Sequence, residues 1–97
     1  MKTPEGEEKD TIKKFLDSLG KDCWYFSPYM RGMGKNGVSD IVGCYKGQFF
    51  SIEVKREGKD PTSIQDRRMG EINLAGGIAF AGTALVVIPA FKKAFGV

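Results

Sequence analysis

No histidine occurs anywhere in the 97 residues. That absence removes serine-type triads, cysteine–histidine dyads, histidine-ligated metals and histidine general bases. Catalysis, if present, must therefore rest on carboxylates, lysine, tyrosine and a hard metal ion. Cysteine is almost as scarce: Cys23 and Cys44 stand alone, without CxxC spacing, and cannot supply a structural zinc site. Both thiols are expected to be buried and reduced, as in a cytoplasmic protein. Charge of one sign is lacking too. A net charge of +3 and a pI near 8.9 permit a polyanionic partner without requiring one. The start, "MKTPEGEEKD", has no apolar h-region, so no signal peptide is expected. Long apolar stretches are represented only by Ile72 to Phe91, which carries no charge. Gly76, Gly77, Gly82 and Pro89 interrupt it and β-branched residues cluster in "LVVIP", so it reads as a helix end followed by two short strands, not a membrane span.

What is present suits one folded domain spanning residues 1–97, with 41% hydrophobic and 28% charged residues. Thr3-Pro4 reads as an N-cap and first helical position, and Ile12, Phe15, Leu16 and Leu19 recur at helical spacing before Gly20. Tracing that apolar face backward reaches Glu8 and then Glu5. "CWYFSPY" is strand-like, with Trp24, Tyr25 and Phe26 expected in the core. "MRGMGKNG" follows as a loop that lacks the ending of a nucleotide-binding loop but offers Arg31 and Lys35 to a phosphodiester. Val38–Tyr45 and Gln48–Lys55 flank Lys46-Gly47 and predict an antiparallel hairpin. Thr62 to Ala75 has helical periodicity, "GIAFAG" and "ALVVIP" read as strands, and "AFKKAFGV" as a short helix or tail. The expected order is α-β-β-β-α-β-β around a mixed sheet.

Alternation places Ser51, Glu53 and Lys55 on one face of their strand, away from Phe50, Ile52 and Val54. A hairpin turning at Lys46-Gly47 lays Asp40 opposite the Glu53 neighbourhood. One hairpin then presents two carboxylates and an ammonium group together. Two adjacent carboxylates repel, and a divalent cation that takes oxygen ligands stabilises such a pair. A lysine beside them is placed to position or deprotonate a water, or to steady charge on a phosphate. The same spacing also fits an ordinary Glu–Lys cross-pair on a solvent-facing sheet.

The ordered set Gly37-Val38-Ser39-Asp40, Ile52-Glu53-Val54-Lys55, "PTSIQ" and "AGGIAF" resembles the virus-type replication-repair nuclease (VRR-NUC) domain of the PD-(D/E)xK superfamily, from "TPEG" through about Gly82. The resemblance implies an α/β, restriction-endonuclease-like αβββαβ core with a mixed central sheet flanked by helices. It implies a Mg²⁺- or Mn²⁺-dependent endodeoxyribonuclease in which Asp40, Glu53, Lys55 and Gln65 are catalytic. Asp40, Glu53, the Val54 carbonyl and Glu5 would be metal ligands, with Glu8 the alternative to Glu5. Ser39 departs from the family's usual proline. Stand-alone domains of this type occur in phages and act as homodimers on branched DNA, so a resolvase-like substrate and a location in the host cytoplasm are implied. Lys14, Arg67 and Arg68, with Lys13, lie on the two flanking helices where they would track DNA phosphates or simply form a solvated face. Gln65 also completes a Thr62-x-x-Gln65 capping box. A structure-independent nuclease and a non-catalytic nucleic-acid-binding module remain the alternatives.

Overall fold

The computed structural model describes residues 2–28 and 36–97; Arg31 and Lys35 lie outside them. Helix α1 (Pro4–Asp17) starts as its sequence directs, with Pro4 in the first turn and the Thr3 hydroxyl accepting from the Gly6 N–H at 3.0 Å. A 3₁₀ turn (Gly20–Asp22) leads into β1 (Cys23–Phe26). Strands β2 (Ile41–Tyr45) and β3 (Gln48–Val54) form the expected hairpin. Both loop residues take positive φ, 49° at Lys46 and 85° at Gly47, matching the twist of a two-residue hairpin turn. Helix α2 (Ser63–Leu74), strand β4 (Ile78–Gly82) and helix α3 (Ala84–Phe95) complete the chain.

The sheet order is β1-β2-β3-β4, antiparallel except for the parallel β3–β4 pair closed by the α2 crossover. The fold is thus mixed α/β, with the αβββαβ order followed by a third helix. One sheet face carries Ile41, Phe50, Ile52, Val54 and Phe80 into a core with Ile12 and Leu16 of α1 and Val87 and Phe91 of α3. Phe91 is its centre, meeting Phe50 edge-on at 5.1 Å and Phe15 at 5.5 Å between ring centroids. The opposite face is covered by α2 over β3 and β4. Strand β3 is therefore buried on both sides from Phe50 to Val54, which is what removes Glu53 from water.

Two expectations fail. "ALVVIP" is no strand: with "AFKKAF" it forms α3, and Pro89 sits inside that helix. Its apolar residues Ala84, Val87 and Phe91 recur at helical spacing and are buried, so packing against α1 and β4 outweighs both the β-branched composition and the hydrogen bond that Pro89 forfeits. Trp24 and Phe26 are not core residues. They are 67% and 49% exposed, because β1 alternates and only Cys23 and Tyr25 turn toward the core. Among the described residues no helix is long and apolar enough to cross a membrane.

Candidate active site

The hairpin register pairs Ile41 with Ile52, so the next residues outward, Asp40 and Glu53, meet at the end of the sheet. Asp40 is fixed there because its Oδ2 accepts from the Val54 N–H at 2.8 Å. Glu53 is 2% exposed, and its Oε1 is buried without a hydrogen-bond partner. Lys55 Nζ lies 3.7 Å from Glu53 Oε2, and the Lys55 side chain is only 12% exposed. The Lys55 N–H donates to Gly82 O at 2.9 Å, so β4 holds the end of β3 that carries both groups. The solvent-facing cross-pair foreseen as an alternative is not what forms.

The Glu53 pKa is raised to about 8, and burial is the largest cause. A hydrogen bond to the Asp40 carboxyl and the Asp40 charge contribute to the rise, Lys55 opposes it, and the Glu5 charge adds a smaller push upward. A carboxyl that keeps its proton near neutrality beside a second carboxylate is the electrostatic condition a divalent cation relieves.

The two acids of α1 have separate surroundings. Glu8 Oε1 accepts from the Ala84 N–H at 2.8 Å, at the first turn of α3. Its carboxylate therefore serves as a tertiary cap, a role invisible while residues 84–89 read as a strand. Glu5, half-buried one turn earlier, is the helix acid whose charge is felt at Glu53. Gln65 forms the capping box: its backbone N–H donates to the Thr62 hydroxyl at 3.3 Å and its side-chain oxygen accepts from the Thr62 N–H at 2.8 Å. Arg67 and Arg68 are on α2. Arg68 donates to Asn36 O at 2.7 Å and to both Glu71 oxygens at 3.1 Å, and Arg67 pairs with Glu71 at 3.8 Å. Lys14 is exposed on α1.

Ser39 and Ser51 were not singled out as site groups, yet both are buried with unpartnered hydroxyls. Ser51 shares the strand face of Glu53, and Ser39 precedes Asp40. Alternation along β3 was the available signal for Ser51.

The donor set fits a small hard cation. Among the described residues no group of three His, Cys, Asp or Glu side chains is gathered at one point, so the centre is built on the two carboxylates of Asp40 and Glu53. Mg²⁺ ordinarily takes one or two carboxylates and fills its remaining positions with water. The buried Glu53 Oε1, without a hydrogen-bond partner, is an oxygen of the type such a cation takes.

No family model matches the sequence, and no curated protein does. A solved structure described as a "VRR_NUC domain" is similar to this chain, with a TM-score of 0.71 and 22% sequence identity, over 86% of this chain and 87% of that one. The likeness extends over nearly the whole chain, so this protein has the fold of a VRR_NUC domain, a restriction-endonuclease-like arrangement of a mixed four-stranded sheet and flanking helices.

Proposed function

We propose that this chain is a metal-dependent DNA endonuclease that hydrolyses phosphodiester bonds, as a homodimer selective for branched DNA such as a four-way junction. The observation that carries the reading is the buried Glu53, its Oε1 unpartnered, set between Asp40 and Lys55. Core burial of a carboxylate and a lysine is expensive for a structural ion pair, and it is the arrangement that nucleolytic chemistry uses. The VRR_NUC fold supports the same reading by analogy.

In this scheme Asp40 and Glu53 would hold Mg²⁺ or Mn²⁺, with the Val54 carbonyl as a further oxygen donor, while Glu5, not gathered with the two carboxylates, would favour the cation through its charge. The bound cation supplies Lewis acidity at the scissile phosphoryl group. Lys55 orients the attacking water and offsets charge that develops on the phosphoryl oxygens. Gln65 stands at the start of α2, where it orders the segment leading from Lys55 into that helix. Branch selectivity and a phage-type role follow the stand-alone domains that the motif set resembles. The homodimer likewise follows those stand-alone domains, and it suits a small domain with one centre that is to nick two strands symmetrically.

Cleavage of a labelled four-way junction and a matched linear duplex, with Mg²⁺, with Mn²⁺ and with chelator, tests the reading. Junction cutting should require metal and fall at least ~100-fold in Asp40→Ala and Lys55→Ala, the scale of losing a transition-state contact. Equal cutting of both substrates would remove the branch preference. DNA binding without cutting under any metal condition would leave only a binding module.

A further inference from the structure

The sheet face opposite the core carries an aromatic ridge that the chemistry above leaves unused. Register places Trp24, Cys44 and Phe49 in one cross-strand row and Phe26, Val42 and Ser51 in the next, and one row farther along stand Asp40 and Glu53. Rows on one face are two residues apart, about 7 Å at strand rise. Trp24, Phe26 and Phe49 are 67%, 49% and 45% exposed, and the Trp24 and Phe26 ring centroids are 5.6 Å apart. Helix α2 lies over β3 and β4, so this face is open on its β1 and β2 side. Between ridge and helix runs a groove of about 280 Å³, with Val42 and Phe49 on the sheet, Ile72 and Ala75 on the helix, and Ser39, the neighbour of Asp40, also in its lining. Ser39 is 3% exposed and its hydroxyl has no hydrogen-bond partner.

We infer that the ridge and groove take an unpaired DNA strand, with successive bases laid on Phe26 and Trp24 as the strand leaves the carboxylates. Aromatic side chains bind the flat faces of bases, which in a duplex are covered by their neighbours. The row spacing points the same way: it is about twice the ~3.4 Å per nucleotide of a duplex strand, so bases on adjacent rows are unstacked from each other. Position selects the occupant. Phe26 stands one row along and one strand across from Asp40, roughly 8 Å away. A protein seated on the ridge would overhang the carboxylates, whereas a strand cut at the carboxylates must pass beside it. The Ser39 hydroxyl, buried in the groove without a partner, offers that strand a hydrogen bond. Arg68, the cation of the groove, is already bonded to Asn36 O and to Glu71, so recognition here falls on bases more than on phosphates. The inference rests on the nuclease reading for the cut; the binding surface itself does not.

Trp24 is the only tryptophan, so the intact protein reports on its own surface. Oligothymidylate and a fully paired hairpin of the same length would be titrated into the protein in chelator while Trp24 emission is followed. Oligothymidylate should quench Trp24 saturably and bind at least ~10-fold more tightly than the hairpin, the scale of one stacked base. Phe26→Ala, which keeps the reporter, should weaken that binding ~10-fold with unchanged circular dichroism. Trp24→Ala, read by the anisotropy of a labelled oligothymidylate, should do the same. A tenfold rise in salt should weaken binding by no more than ~5-fold, the share of one phosphate neutralised on a single strand. A steeper loss would put the binding on phosphates and overturn the inference. Equal binding of the two DNAs, or single-strand binding indifferent to both substitutions, would overturn it as well. So would Trp24 emission from a buried site in a self-associated protein, unmoved by oligonucleotide. Single-strand binding that weakens in both variants, with no DNA cut in Mg²⁺ or Mn²⁺, would uphold this surface and sink the nuclease reading alone.

Discussion

Glu53 is a carboxylate folded into a position where its ionised form is disfavoured, and the consequence is measurable without substrate. Its pKa in the folded chain is about 8, against 4.5 as the ordinary value, chiefly because it is buried. The folded state therefore binds a proton that the unfolded chain releases near pH 4.5. Stability from this group is fully present below that pH and is lost as pH rises through about 8. The metal-free protein should lose stability progressively across that window as the coupled Asp40–Glu53 pair gives up its proton. Glu53→Gln keeps the shape and removes the titration. Urea unfolding in chelator should find the variant close to wild type at pH 5 and more stable than wild type at pH 8. Stability curves that run parallel from pH 5 to pH 8 would mean that Glu53 is not buried as described.

At the scale of elements, the sequence was most readable where a local rule and the tertiary environment agree. The Lys46-Gly47 turn set the hairpin register, and that register alone brings Asp40 to Glu53. Thr3-Pro4 and Thr62-x-x-Gln65 announced two helix starts. Helix α3 was misread because Val86, Val87, Ile88 and Pro89 disfavour a helix locally, and only the core contacts of Val87 and Phe91 decide in its favour. The same error hid the function of Glu8. Both α1 acids extend one helical stripe in the sequence, and nothing local separates the one that caps α3 from the one whose charge reaches Glu53. Glu8→Ala should remove the acceptor for the Ala84 N–H and cost about 1 kcal/mol, lowering Tm by roughly 5 °C in a domain of this size. Glu5→Ala should leave Tm within about 2 °C and weaken Mg²⁺ binding instead, as the half-buried Glu5 makes no hydrogen bond or ion pair among the described residues comparable to that of Glu8. Thermal melts of both variants and a Mg²⁺ titration of Glu5→Ala check the division. Equal melting losses in the two would mean that the acids are not specialised.

Across the whole molecule, the sequence disclosed which side chains share a face but not which faces remain open. Strand alternation separates Trp24 and Phe26 from Tyr25, yet the core fills from the Tyr25 side only because α1 and α3 pack there, and α2 covers too little of the other side to reach β1. The site has the same long-range character. Asp40 enters just ahead of β2, Glu53 from β3 and Lys55 just past its end, and the Glu5 charge from α1, so the centre exists only when the chain is folded. A cation held there binds the native state and not the unfolded one, which couples metal to global stability. At a concentration 100-fold above its dissociation constant, Mg²⁺ should stabilise the protein by about 2.7 kcal/mol, and chelator should reverse the gain. Asp40→Asn removes one of the two central carboxylates and should abolish the Mg²⁺-dependent rise in Tm, whereas Lys55→Met, which leaves both, should retain it. If Asp40→Asn kept the full rise, the cation would be binding elsewhere and the carboxylate pair would have no claim to it. If Mg²⁺ and Mn²⁺ left the melting of wild-type protein unchanged, the pairing of Asp40 with Glu53 would be a structural hydrogen bond, and the charged end of the hairpin would lose its chemistry.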